Sequence, residues 1–343
     1  SVALAARTRL YKAERPLDVS RELVRTEDYV AQEFDVSVSV GEAVTVEKVV
    51  ALFGSRDRAI HEPGYEARNH VKRSGDFADL LVTHILAWDH LWQRFGIEVE
   101  TGNGDVQCTL NLHVFHLLQT VSPNSVDLDV GVPARGLHGE AYRGHIFWDE
   151  VFIFPYLTLH MPRLTRGLLQ YRFRRLPKAR WHAADAGFRG ALFPWQSGSN
   201  GEEETQEWHL NPLSGEWSRD NSHLQRHVDI AVAYSVWRYY SATGDDEFME
   251  NQGAEMLLEV AGFLASLCVY NRTEDRYEIL GVMGPDEYHD GYPDAPEPGV
   301  NNNAYTNVMA VWCLMRALSV FEVLPSRRRL ELRERLGIGR DDL

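Results

Sequence analysis

The sequence predicts a mainly α protein of the α/α toroid type, preceded by a short β region, and three observations predict it. From Phe77 onward apolar residues recur every three to four positions, the period of a helix with one buried face. Strict alternation of apolar and polar residues is confined to the first fifty-odd positions. The links between helical stretches, 122–146, 187–227 and 271–304, are long and carry tryptophans, carboxylates and glycines together. Structureless loops beyond roughly 12–15 residues are uncommon in compact domains unless they are functional or disordered, and these are too aromatic for disorder. Helices that present such loops at one end describe a toroid whose inner helices converge on a pocket. No short repeat argues for an open solenoid instead.

In chain order, 31–40 and 45–53 alternate around Gly41-Glu42 and read as a β-hairpin with one buried face. Two strands alone are marginal, so partners are expected within 1–30 or the chain begins inside a larger β domain. Phe77, Leu81, Ile85, Trp88, Trp92 and Phe95 then form one helical stripe ending near Gly96. Further helices are predicted over 106–121, 147–159, 163–186, 228–240, 255–270 and 305–323.

Charge and composition remove several function classes. With 35 Lys+Arg against 50 Asp+Glu the formal charge is −15, and no segment gathers the basic stripe of a nucleic-acid groove binder. No run approaches the roughly 18 uncharged apolar residues of a membrane span, and the first twenty residues are too charged for a signal peptide. A cytoplasmic protein without a membrane or nucleic-acid partner is expected. Cys108, Cys268 and Cys313 are widely spaced within apolar patterns and are expected to be buried thiols. The Asn271-Arg272-Thr273 triplet fits a glycosylation acceptor, but nothing else suggests secretion.

The loops carry the chemistry. Trp148-Asp149, Trp195-Gln196, Trp208-His209 and Trp217 lie in or beside them, and indoles next to Asp, Gln and His supply what a pyranose requires: an apolar face to stack on and groups for its hydroxyls. Packing of loops onto helices explains any one of these rings as well; it explains the group less well. In MGPDEYH, Gly284-Pro285 turns the chain just before Asp286-Glu287. A carboxylate desolvated at the mouth of an apolar pocket has a raised pKa and can donate a proton near neutral pH, which makes Glu287 the candidate acid. Taken alone, an Asp-Glu pair in a loop is ordinary surface charge. The run Glu202-Glu203-Glu204 reads as a solvated loop, and His113 with His116 lacks a third metal ligand. No P-loop, dinucleotide fingerprint or nucleophile elbow is present.

Five ordered strings, GLHGEAYRGHIFWDEVFIFPYL, FPWQSGSNGEE, HVDIAVAYSVWRYY, GVMGPDEYH and VNNNAYTN, resemble the catalytic domain of glycoside hydrolase family 65. The resemblance runs from about residue 31 to residue 323. It implies an N-terminal β-sandwich ending near residue 58, a helical linker over 59–100 and the first part of an (α/α)6 barrel from 101 onward. It also implies inverting phosphorolysis of an α-linked glucose disaccharide such as maltose, trehalose or kojibiose, with inorganic phosphate as co-substrate and no metal or organic cofactor. On this resemblance Glu287 is the general acid, Trp148 and Asp149 hold the non-reducing glucose, and Trp195 lines the acceptor side. Gln196 stands where the family has Glu. A neutral amide both donates and accepts, so the departure bears on which acceptor sugar fits.

Phosphate is already an anionic nucleophile, so one acid suffices where an inverting hydrolase needs an acid and a base. Acid trehalases of the same family use water, and that reading stays open. So does a catalytically incomplete sugar-binding fragment: the family's lysine-glutamine string and histidine-serine phosphate loop are not found, and about six helices follow the linker where a closed barrel needs twelve. A homodimer is among the expected assemblies.

Overall fold

The computed structural model describes residues 1–343 apart from 28, 101, 103, 137, 138, 140, 141, 286–289, 294 and 340–343. The chain divides into two compact units, Ser1–Gly96 and Ile97–Leu343.

The first unit is built on β1 (Val2–Lys12), which pairs antiparallel with the short β2 (Arg15–Pro16) and, along its whole length, with β5 (Val44–Gly54). The register runs from Val2 opposite Gly54 to Lys12 opposite Val44. β3 (Glu22–Thr26) and β4 (Tyr29–Glu33) form a separate hairpin. The predicted hairpin of 31–40 with 45–53 is therefore corrected. The second segment is a strand, but its partner is β1, and 34–40 is not a strand. Alternation fixes which face of a strand is buried and leaves its partner open.

α1 (Pro63–Arg73) starts at a Glu62 cap whose carboxylate accepts from the Gly64 and Tyr65 N–H groups, and it packs on β1 and β5. Arg7 ties strand to helix by donating to the carbonyls of Val71, Ser74 and Gly75 at 2.8, 3.0 and 2.6 Å. α2 (Phe77–Phe95) opens with a reciprocal Asp76/Asp79 capping box. Its end at Phe95 and its Trp88–Trp92 contact, with ring centroids 5.9 Å apart, follow the predicted stripe.

The second unit comprises α3 (Gly104–Thr120), α4 (Glu150–His160), α5 (Pro162–Arg174), α6 (Leu176–Asp185), α7 (His227–Thr243), a single turn α8 (Asp246–Phe248), α9 (Ala254–Leu267), α10 (Ala304–Val323) and α11 (Ser326–Leu336). Two small ribbons join them: β6 (Trp208–Leu210) with β7 (Trp217–Arg219), and β8 (Cys268–Asn271) with β9 (Arg276–Ile279). The core is α7 and α9, which contact each other and are buried around most of their circumference. α4, α5 and α10 pack on α7, and α6 and α10 pack on α9.

The single helix predicted over 163–186 is two helices. Arg175 leaves helical geometry at φ −95° and ψ 0°, and Pro177 begins the next helix where its missing N–H costs nothing. The helix predicted to reach 270 stops at Leu267, because Cys268 turns extended to open the β8–β9 ribbon. Of the cysteines only Cys313 is buried; Cys268 is half-buried and Cys108 exposed. α10, in which no span was expected, is long and apolar enough to cross a membrane by length and composition. It packs along α9 and α7 on one side, with 28% of that stretch buried.

Gly190 shows how tightly loop and core meet. Its φ is +73°, and a Cβ there would lie 2.2 Å from the Glu259 carbonyl oxygen of α9. Only glycine satisfies both conditions, so the start of the second long loop lies directly on α9.

Candidate active site

The approach to α4 and the loop after α6 are joined backbone to backbone. Ile146 and Ser197 exchange both N–H···O bonds, at 3.0 and 2.9 Å, as an isolated antiparallel bridge. Trp148 and Trp195, 47 positions apart in sequence, are thereby brought together. The Trp148 and Trp195 ring centroids are 6.4 Å apart and tilted by 41°, and both rings are half-buried.

A buried polar layer beneath fixes this bridge. Tyr171, near the end of α5, donates its hydroxyl to the Gly198 carbonyl at 2.5 Å and lies 2.8 Å from Ser197 Oγ. Its neighbour Arg172, 1% exposed, donates through Nε to Glu150 at 2.9 Å and through Nη2 to the Phe147 carbonyl at 2.8 Å. Glu150 also accepts from the Val132 N–H at 3.3 Å. Burial pushes the Glu150 carboxyl pKa up, and the Arg172 charge opposes that shift.

The glutamate run is not the solvated loop its adjacent charges suggest. Glu203 turns inward and accepts from the Trp195 N–H at 2.8 Å, the Gln196 N–H at 3.1 Å, and the Thr205 N–H and hydroxyl at 3.2 and 2.6 Å. It closes the loop around Trp195. Glu202 pairs with Lys178 of α6 at 2.7 Å.

Asp149 sits at the N-terminus of α4, yet its carboxylate makes no capping bond. It is half-buried, and desolvation raises its pKa. Gln196 is 8% exposed, and its amide Nε2 lies 2.7 Å from His145 Nδ1. An amide nitrogen only donates, so His145 Nδ1 accepts and the Gln196 carbonyl oxygen stays available. Trp208 and Trp217 are exposed on the β6–β7 ribbon, 54% and 63%, and make none of the ring contacts that join Trp148 to Trp195. They are not part of this cluster.

The structure adds two residues that sequence reading missed. His227, the first residue of α7, is fully buried with its ring centroid 4.7 Å from Trp148, 5.2 Å from Trp195 and 6.0 Å from Tyr305. Desolvation lowers its pKa to about 4, so the imidazole is neutral at pH 7. Tyr305, at the start of α10, completes the wall. A histidine opening a helix whose first turn is buried was the signal available.

Glu287 lies outside the described residues. The strand leading toward it is held by Val282 and Val300, which exchange backbone bonds at 3.1 and 2.7 Å, and by the Met283 N–H, which donates to the Leu224 carbonyl at 3.0 Å, three residues before His227. Gly299 has φ +98°, and a Cβ there would meet the Gly281 backbone at 2.6 Å. The loop's two arms therefore touch at a position only glycine fills.

Asp229, two residues after His227, is 0% exposed and accepts from the Phe193 N–H at 2.8 Å. Desolvation raises its pKa from 3.8 to about 8. A group that binds its proton more tightly when folded contributes stability that is full below pH 3.8 and lost as pH rises through about 8. His227 has the opposite sign, since its contribution is full above 6.5 and lost as pH falls toward 4. The two oppose each other below pH 6.5, and above it only Asp229 acts. Unfolding stability is expected to fall by about 2 kcal/mol between pH 6.5 and 8 through this residue. Asp229→Asn should remove that decline in urea-unfolding midpoints, and an equal decline in both proteins would contradict it.

Half-buried indoles, a desolvated carboxylate and a buried imidazole, set on the loop side of a helical core, form a polar and aromatic surface suited to a sugar. Similarity to known proteins gives the class: proteins of glycoside chemistry. The model of the glycosyl hydrolase family 65 central catalytic domain matches residues 111–340, and that of the family's N-terminal domain matches residues 1–91. The chain belongs to glycosyl hydrolase family 65.

An uncharacterized glycosyl hydrolase of Mycobacterium tuberculosis is 46% identical over 338 residues, 98% of this chain and 25% of that protein. Kojibiose phosphorylase of Caldanaerobacter subterraneus is 36% identical, over 93% of this chain and 41% of its own length. Trehalose 6-phosphate phosphorylase of Lactococcus lactis is 35% identical, over 84% and 37%. A solved structure assigned as a kojibiose phosphorylase from the human microbiome superposes with a TM-score of 0.74 at 23% identity, covering 99% of this chain and 42% of that one. The chain thus spans between a quarter and about two-fifths of the length of these relatives.

Proposed function

We propose that the chain contributes the glucosyl-binding and proton-donating part of an inverting phosphorylase acting on an α-linked glucosyl compound, within an (α/α)6 barrel. The observation that carries this reading is the Ile146–Ser197 bridge with the Trp148–Trp195 ring contact beside it. Relatives named as kojibiose, trehalose 6-phosphate and 1,2-α-glucosylglycerol phosphorylases support the reaction class.

In this reading Trp148 stacks on the glucosyl ring and Asp149, spared from capping α4, accepts from its hydroxyls. Trp195 and the free carbonyl of Gln196 face the acceptor sugar. Glu287 gives its proton to the glycosidic oxygen as the bond from that oxygen to the anomeric carbon breaks. A phosphate oxygen attacks the same carbon from the opposite face, so an α-linkage yields β-glucose 1-phosphate and a free acceptor. The nucleophile arrives already charged, so the protein's tasks are to place it and to supply one proton.

The test is product release from kojibiose, trehalose and maltose with and without phosphate. Glucose 1-phosphate formed only with phosphate is the expected result. Glucose released without phosphate would replace phosphorolysis by hydrolysis. No binding of glucose or disaccharide to the chain would overturn the site itself.

A further inference from the structure

His227 is an unusual residue to place at the centre of an aromatic cluster. It is fully buried, and neither ring nitrogen has a hydrogen-bonding partner among the described residues. The Met283 backbone carbonyl faces the ring and opposes its desolvation, but the contact is looser than a full hydrogen bond and leaves both ring nitrogens short of a partner. Asp229, two residues further along α7 and so on a different side of the helix, accepts from the Phe193 N–H through Oδ1. A buried polar group without a partner is costly, and native proteins keep few of them. A phenylalanine would pack against Trp148, Trp195 and Tyr305 without that cost. Unlike the imidazole, these three rings are only partly covered, so they stand between it and solvent.

We propose that His227 is a sugar-binding residue whose hydrogen-bond partner is one hydroxyl of the glucosyl unit held against the Trp148–Trp195 pair. This rests on the site reading above and deepens it. The sugar reaches the imidazole by a side-chain rotation of one of the three rings. Whichever ring nitrogen faces the sugar, the N–H or the acceptor, a hydroxyl can pair with it, because a hydroxyl both donates and accepts. The ring thereby selects for a hydroxyl at one position of the sugar rather than for sugars in general.

The experiment is a tryptophan-fluorescence titration of the chain with D-glucose and its 2-, 3-, 4- and 6-deoxy analogues, repeated for His227→Phe and His227→Gln. For glucose, His227→Phe is expected to weaken binding about 3- to 10-fold, the size of one neutral hydrogen bond. One deoxy analogue should bind both proteins equally, while the others keep the full difference. His227→Gln should recover part of the affinity. The melting temperature of His227→Phe should match or exceed that of the parent, because the change removes an unpaired buried polar group.

Equal glucose affinity in His227→Phe would overturn the proposal. So would a uniform loss across all analogues, which would mean that the ring only props the indoles. A parent chain that binds glucose while the variant matches it refutes His227 alone; a parent chain that binds no sugar refutes the site reading with it.

Discussion

Glu287→Gln is expected to lower phosphate-dependent release of glucose 1-phosphate by about 10²–10⁴-fold, the usual contribution of a general acid. Glucose affinity should change little, since the amide keeps the size of the acid and removes only its proton. The described residues give this expectation a physical basis. The arm leading to Glu287 is fixed by the Val282–Val300 pair and by the Met283–Leu224 bond, close in sequence to the buried start of α7. Turnover within a few-fold of the parent would remove Glu287 from the acid role, and loss of glucose binding would recast it as a binding group. A leaving group that needs no protonation, such as fluoride on α-glucosyl fluoride, should be turned over by the variant far better than a disaccharide.

Arg172→Met is expected to cost about 3–5 kcal/mol of stability, the penalty for leaving one partner of a buried ion pair unmatched. Arg172 and Glu150 are 1% and 4% exposed and 2.9 Å apart. Without the guanidinium, Glu150 keeps among the described residues only the long bond from the Val132 N–H, and the Phe147 carbonyl loses the Arg172 donor. Thermal or urea unfolding measures the loss directly. The double variant Arg172→Met with Glu150→Gln should recover much of it, because no charge then remains buried alone. A single variant as stable as the parent would show that the pair is not what holds this layer. Sugar affinity should fall along with stability, because Phe147, Trp148 and Asp149 are seated on this layer.

Elements governed by local rules were legible in the sequence. The stripe and end of α2 and the length of α10 follow from periodicity and end residues that each act within a few positions. Trp148 and Trp195 were legible as loop indoles beside polar groups, and their rings meet, whereas Trp208 and Trp217 carried the same signal and face water. What was lost depended on partners distant in sequence. β5 was recognised as a strand but given the wrong neighbour, since nothing within it names Val2–Lys12. Glu203 was read with its like-charged neighbours as solvated, although adjacent residues in a bent loop point different ways. His227 looked like an ordinary residue at a helix start, and only the ring distances to Trp148, Trp195 and Tyr305 reveal its setting. Burial of the first turn of α7 is a tertiary property, and it creates the shifted pKa values of both His227 and Asp229.

The clasp made by Glu203 divides the second loop into two mechanically separate parts. The turn holding Trp195 is finished by Thr205, and the chain then runs out along a ribbon whose base is sealed by the Asp220 N–H donating to the Glu207 carbonyl at 2.9 Å. Between those points lies a stretch whose ends already meet, and whose two indoles face water. Such a stretch can be lengthened, shortened or exchanged during divergence with little disturbance of the indole behind the clasp. It is the natural splice point of this scaffold, where a new module can be inserted and the floor of the sugar site inherited intact.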